Sequence, residues 1–439
     1  MRRLERGNSR LKTSCINMES MSSFPMNVSF PMNVSVEHAI SALEREMRQP
    51  EAREVALSEA HGLILARDLR ALVDHPSLSD SALDGVACRL KDTLGASSES
   101  PVTLEVIGEV QAGRVFARTL GVGQAVRIYT GAPVPDGADG IIPVETLEFV
   151  ERESGTQVKV LQPARVSDIR ARGSDFERGQ VGLKRGTCLG PSALALCAAM
   201  GHAHVEVFRP LRIALLSTGD EIYEPGQPLP PGGVYNSNRY GLEAKIRALG
   251  HEAVVLPRSV DTREALELAL SSAEGPSGAG KVDLLLTSGG VSMGKYDLVR
   301  DLLIEHGQVV FWKVALRPGG PAMLGRWNDL PVFGLPGNPV SSLVVFEIIV
   351  KSALYKLLER PDAPHRILRA RATTAFKSLP DKRAYWRARL EFDGGHPTVS
   401  DFVDQRSSVL RSMVENNALV VVEPGQSAPV GVEVEVIWL

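Results

Sequence analysis

The sequence is poor in the residues that mark disulfide scaffolds, metal ribbons and membrane spans. Its 439 residues hold four cysteines, Cys15, Cys88, Cys188 and Cys197, and no two of them form a CxxC pair. That spacing signals neither a zinc ribbon nor a thioredoxin-like redox motif. Free thiols in a reducing, cytoplasmic compartment are the expectation. No apolar run approaches the ~20 residues that cross a bilayer, so no membrane partner is expected. The N-terminus is basic at Arg2, Arg3 and Arg6, but no apolar core follows, which argues against a signal peptide. Basic residues (49) do not outnumber acidic ones (52), and the formal net charge is −3. A nucleic-acid grip needs a basic footprint, so no nucleic-acid partner is expected either.

What remains is ordinary globular material. Hydrophobic residues make up 44% and charged residues 23%, and the length suggests two to four domains. Residues 1–34 are polar and irregular and carry "FPMNVS" twice, at 24–29 and 30–35; a disordered tail is expected. "SVEHAISALEREM" then places Val36, Ile40, Leu43 and Met47 at helical spacing behind Ser35, a suitable N-cap. Residues 101–165 alternate short β-rich runs with Gly/Pro turns and read as a small β domain. "PSALALCAAMG" (191–201) reads as a helix with Pro near its start and Gly near its end. From 211 the grammar changes to alternating β and α. Continuous apolar strands such as "RIALLSTG" and "VDLLL" imply a largely parallel sheet covered on both faces. Residues 367–439 are β-rich again and suggest a small barrel.

Ligands of such sheets bind beyond the carboxyl ends of the strands, and three glycine-bearing turns fall at those ends. "TSGGVSMG" (287–294) offers Ser288, Gly289, Gly290, Ser292 and Gly294 as an anion cradle. Glycines let backbone N–H groups approach phosphate, and the helix that follows adds a favourable dipole. "LPGNPVSS" (335–342) repeats the theme with Pro336, Gly337, Asn338 and Ser341. "STGDEI" adds Thr218, Gly219, Asp220 and Glu221. Paired carboxylates there suit Mg²⁺, which takes one or two carboxylates plus phosphate and water. Asp261 and Asp297 stand at corresponding strand ends, so Asp220, Glu221 and Asp261 form the candidate metal set.

Five ordered stretches, "SDSALDGVACR", "RIYTGAPVPDGADGIIPVE", "STGDEI", "TSGGVSMGKYD" and "LPGNPVSS", resemble the MoeA/gephyrin E-domain family, the molybdopterin molybdenumtransferases of molybdenum-cofactor synthesis. The resemblance covers the chain from about residue 35 to its end. It implies a multidomain α/β plus β fold. A three-layer α/β molybdopterin-binding domain (209–361) would stand beside an elongated, discontinuous dimerisation domain (35–84 and 166–208). An inserted β domain (85–165) and a C-terminal β-barrel (362–439) would complete it. It also implies a homodimer whose clefts combine two subunits, and a reaction in which adenylylated molybdopterin and molybdate yield AMP and molybdenum cofactor with Mg²⁺. A molybdopterin adenylyltransferase and recipient molybdoenzymes are the implied protein partners. Catalytic roles carry over to Asp84, Glu221, Asp261, Asp297 and Arg317. Substrate contacts carry over to Thr130, Asp175, Arg383 and Ser407.

One stretch departs from the family's usual "KPGKP". Here it reads "RPGGP", Arg317 to Pro321. Arg317 keeps a charge but replaces a compact ammonium with a planar fork, and Gly320 removes the second charge. Lys295 and Lys313 are near enough in sequence to compensate. A molybdopterin adenylyltransferase and a non-catalytic cofactor-binding or scaffolding paralogue are the alternative readings.

Overall fold

Arg212–Ser217 and Leu284–Ser288, two of the continuous apolar runs, lie side by side in a seven-stranded sheet and are buried along most of their length. The computed structural model of the chain describes residues 30–153, 155–273, 281–291 and 297–439. Across the sheet the order is Met32–Val34, Gln308–Val314, Met323–Trp327, Leu330–Leu335, Leu284–Ser288, Arg212–Ser217, Glu252–Val255. Met323–Trp327 alone in this sheet runs antiparallel to its neighbours.

Side chains alternate along each strand, which divides the packing between two faces. Ile213, Leu215, Leu284 and Leu286 meet Leu43, Leu242, Ile246 and Val344, from the helices Val36–Glu46, Ser237–Ala248 and Pro339–Val345. Ala214, Leu216 and Leu285 meet Leu266, Leu270, Val299 and Leu302, from Arg263–Ala273 and Leu298–Glu305. The result is three layers, with the six parallel strands ending on one rim.

Two features differ from the sequence reading. Met32–Val34 is an edge strand in register with Trp312–Val314, and the Trp312 N–H donates to the Pro31 carbonyl at 3.1 Å. The second copy of the repeat is therefore part of the sheet; the first lies outside the described residues. Three residues are too few for a period-of-two pattern to show. Helix Val36–Glu46 also packs into the α/β core through Ala39, Ala42 and Leu43, whereas the sequence grouped it with the discontinuous domain. Its amphipathic pattern defined an apolar face but not the surface that covers it.

The remaining segments form β structures. Ala52–Ala56, His204–Phe208 and Ile64–Leu65 make a small sheet against helix Pro191–Ala199. Asp80–Ser81 pairs with Ile169–Arg170, so the chain leaves and re-enters this region at one point. Between them lies a six-stranded sheet that spans Gly85 to Val160. At the C-terminus five strands close into a barrel, with Arg383–Asp393 paired to both His396–Asp401 and Ala418–Val422. Leu316–Arg317 adds to it in parallel with Arg383–Ala384. That pairing docks the barrel beside the sheet rim.

Candidate active site

A cleft of about 1710 Å³ opens where the parallel strands end. Thr218, Gly219, Asp220 and Glu221 line it after one strand, Ser288, Gly289 and Gly290 after the next, and Pro336, Gly337, Asn338 and Ser341 after a third. Asp261, Asp297 and Arg317 complete the sheet's contribution, and the barrel contributes Ser407. Ser292, Gly294 and Lys295 lie outside the described residues. Asp84, Thr130, Asp175 and Arg383 are absent from the described lining of this cleft.

The turns interlock. Gly289 and Gly290 have φ of +101° and +72°, a region that favours glycine. A Cβ on Gly337 would lie 3.7 Å from Gly289 Cα, so the two cradles abut. Asn238 joins them: its Nδ2 donates to Ser288 Oγ at 2.7 Å and to the Gly337 carbonyl at 2.8 Å. Its Oδ1 is buried with no partner among the described residues. Asn236, two residues earlier, accepts from Ser217 Oγ at 3.1 Å and donates to Glu224 Oε1 at 3.0 Å. The sequence reading missed both asparagines. Asn is common at helix starts as a cap, so neither stands out in "VYNSNRYG". On the other side Asn338 Nδ2 donates to Ser407 Oγ at 2.9 Å, which ties the barrel to the third turn.

The acidic corner is compact. The Asp261 N–H donates to Asp220 Oδ1 at 3.2 Å, and Arg258 Nη1 donates to the Gly219 carbonyl at 2.9 Å. A Cβ on Gly219 would fall 2.6 Å from Glu221 Oε2, so the Glu221 carboxylate folds back over the glycine. Burial pushes the Asp261 carboxyl above its usual range, and the negative charges of Asp220 and Glu221 push the same way.

Outside the cleft, Asp84 Oδ1 accepts from both the backbone N–H and the hydroxyl of Thr130, each at 2.8 Å. These bonds lower the Asp84 carboxyl from its ordinary value. The two candidates are thus brought together on the inserted sheet, at an exposed position. Asp175 is exposed, with its N–H on the His75 carbonyl. Arg383 is engaged with Glu37 at 2.5 Å and Glu423 at 2.8 Å.

Comparison with known proteins places these features in one family. The MoeA N-terminal region (domain I and II) matches residues 34–201, a probable molybdopterin binding domain matches 214–356, and the MoeA C-terminal region (domain IV) matches 369–439. The chain belongs to the MoeA family. Molybdopterin molybdenumtransferase 2 of Mycobacterium tuberculosis is 38% identical over 83% of this chain and 89% of its own length. The molybdopterin molybdenumtransferase of Haemophilus influenzae is 35% identical over 84% and 88%. Two structures of the molybdopterin biosynthesis MoeA protein from Pyrococcus horikoshii superpose with TM-scores of 0.76 and 0.77, at 32% and 25% identity. Each covers 92% of this chain, and the alignments span 98% and 100% of those proteins.

In this MoeA-family chain no three carboxylate, imidazole or thiol groups converge as a ready-made metal cage among the described residues. The acidic corner still suits Mg²⁺. Burial and two neighbouring carboxylates disfavour the charged form of Asp261, an energetic conflict that a divalent cation relieves. Mg²⁺ is commonly held by one or two carboxylates, with waters and substrate phosphate as the other ligands.

Proposed function

We propose that this chain inserts molybdate into adenylylated molybdopterin with Mg²⁺-dependent release of AMP. The observation that carries this reading is the meeting of two abutting glycine cradles, an acidic corner and the cationic Arg317 on one strand-end rim. Backbone N–H groups of the cradles hold the pterin phosphate and the pyrophosphate. Asp220, Glu221 and Asp261 would supply the carboxylates for Mg²⁺, with substrate phosphate and water as its other ligands, and the ion would supply positive charge against the phosphate oxygens. Arg317 holds the molybdate oxyanion.

Asp84 and Thr130 enter this scheme through a homodimer, in which the inserted sheet of one subunit faces the cleft of the other. A molybdopterin adenylyltransferase would hand over the adenylate, and a molybdoenzyme would receive the product. Sedimentation tests the assembly: a monomer at micromolar concentration would leave Asp84 and Thr130 without a route to the cleft.

The reaction is tested by incubating the protein with adenylylated molybdopterin, molybdate and Mg²⁺ and following AMP and cofactor. AMP release that requires both protein and Mg²⁺, with molybdate-dependent cofactor formation, is expected. Adenylylation of molybdopterin from ATP, without cofactor formation, would point to the adenylyltransferase alternative.

Gly219 provides a local check. Its φ of +132° is a conformation that costs an L-residue on the order of 1–3 kcal/mol, and an alanine Cβ would collide with the Glu221 carboxylate. Gly219→Ala should lower AMP release at least about tenfold, equivalent to ~1.4 kcal/mol of barrier. Full turnover in that variant would show that the placement of Glu221 is unimportant.

A further inference from the structure

Gly320 leaves a gap in charge but not an empty space. A Cβ built there would lie 3.7 Å from Lys382 Nζ, which reaches the cleft from the barrel. The backbone around Lys382 is pinned to the loop that carries Arg317. The Arg383 N–H donates to the Ala315 carbonyl at 2.9 Å, and Leu316 and Arg317 pair in register with Arg383 and Ala384. The Lys382 carbonyl accepts from Ser378 Oγ. Arg383, the residue that family resemblance would place in the cleft, is instead occupied by Glu37 and Glu423.

We infer that Lys382 supplies the second cationic contact to the tetrahedral oxyanion, from the barrel, in place of the side chain absent at Gly320. This rests on the reading of the cleft as a molybdate site. Lys313, Arg317 and Lys382 all line this cleft. Among the described residues neither Arg317 nor Lys382 forms an ion pair with a carboxylate. Burial lowers the Lys313 amine, and the positive charges of Lys382 and Arg300 lower it further. Cations crowded in this way repel one another, and a bound dianion would offset that cost. Gly320 itself has no positive φ, and a Cβ there would meet only ordinary contacts. Steric exclusion therefore does not explain its lack of a side chain.

The test is the molybdate concentration for half-maximal cofactor formation, paired with calorimetric binding of molybdate to the full-length protein. Lys382→Ala should raise that concentration about ten- to a hundredfold, as loss of a charge-assisted contact does. Its kcat at saturating molybdate and its KM for adenylylated molybdopterin should stay within about twofold of wild type, below the scale of one lost contact. Lys382→Arg should retain most of the affinity. Gly320→Lys alone should change little, and Lys382→Ala combined with Gly320→Lys should recover molybdate affinity. A Lys382→Ala variant with an unshifted molybdate curve, or one equally weakened for both substrates, removes Lys382 while the proposed reaction stands. A wild-type protein that neither binds nor uses molybdate overturns the reaction and this assignment together.

Discussion

Glu221→Gln is expected to lose most of its Mg²⁺-dependent AMP release while melting at the wild-type temperature. The substitution keeps the shape of the side chain and removes its charge. The local backbone is held independently of that carboxylate, because the Val234 N–H donates to the Glu221 carbonyl at 2.8 Å. The carboxylate itself lies against Gly219 at the mouth of the cleft. Loss of one charge-assisted contact is worth about 1.5–3 kcal/mol, so AMP release should fall roughly ten- to a hundredfold. Raising Mg²⁺ should restore part of the rate, because the defect lies in holding the ion. Asp261→Asn gives a companion result. The Asp261 carboxyl takes up its proton at a higher pH than an ordinary aspartate. Asp261→Asn, which removes that carboxylate's charge, should likewise need more Mg²⁺ for the same AMP release. Wild-type AMP release from Glu221→Gln at every Mg²⁺ concentration would remove this carboxylate from the reaction.

The turns could be read from the sequence because each follows a continuous apolar strand, and parallel strands bring their ends to one rim by construction. Turns carrying Ser288, Gly289, Gly337 and Asn338 are expected at strand ends, and in the fold they line one cleft. Other contributors depend on packing across distant segments. Asn238 looks like a residue of a helix's first turn; its role as a clasp exists only once Ser288 and Gly337 are adjacent. Lys382 and Arg383 are neighbours in sequence, yet in the fold Lys382 lines the cleft while Arg383 meets Glu37. The hairpin strand Met323–Trp327 was missed because "PAMLGRW" carries proline and glycine, which weaken a strand signal. Asp84 and Thr130, far apart in sequence, are joined by hydrogen bonds, and the direction they face is set by how the whole inserted sheet is mounted at Asp80–Ser81 and Ile169–Arg170.

The cleft also depends on a buried ion cluster behind it, where a second large effect is expected. Glu347 lies within a five-residue π turn, Phe346–Val350, in the helical segment that begins at Pro339. Its carboxylate meets Lys245 Nζ and Lys351 Nζ, each at 2.6 Å, and lies 3.5 Å from His365 Nδ1. Lys245 belongs to helix Ser237–Ala248. The cluster thus joins the two helices whose N-terminal ends present Asn238, Asn338 and Ser341 to the cleft. Burial alone would raise the Glu347 carboxyl, but the contact with His365 and the charges of Lys245 and Lys351 outweigh it and hold the group well below its usual range. A depressed carboxyl stabilises the fold above its unfolded value of 4.5 and loses that contribution as pH falls towards the folded value. Glu347→Gln leaves two lysines without their anion, which for a buried pair costs about 3–5 kcal/mol; the partial exposure of both lysines favours the lower end. At ~2–4 °C per kcal/mol for a domain of this size, the melting temperature should drop by on the order of 10 °C at neutral pH. The gap between variant and wild type should narrow on acidification to about pH 3, where the wild-type carboxylate begins to lose its advantage. Melting curves at the two pH values decide the matter. An equal melting temperature at neutral pH would mean that the lysines find solvent or another anion, and that the two helices are held by their apolar contacts alone.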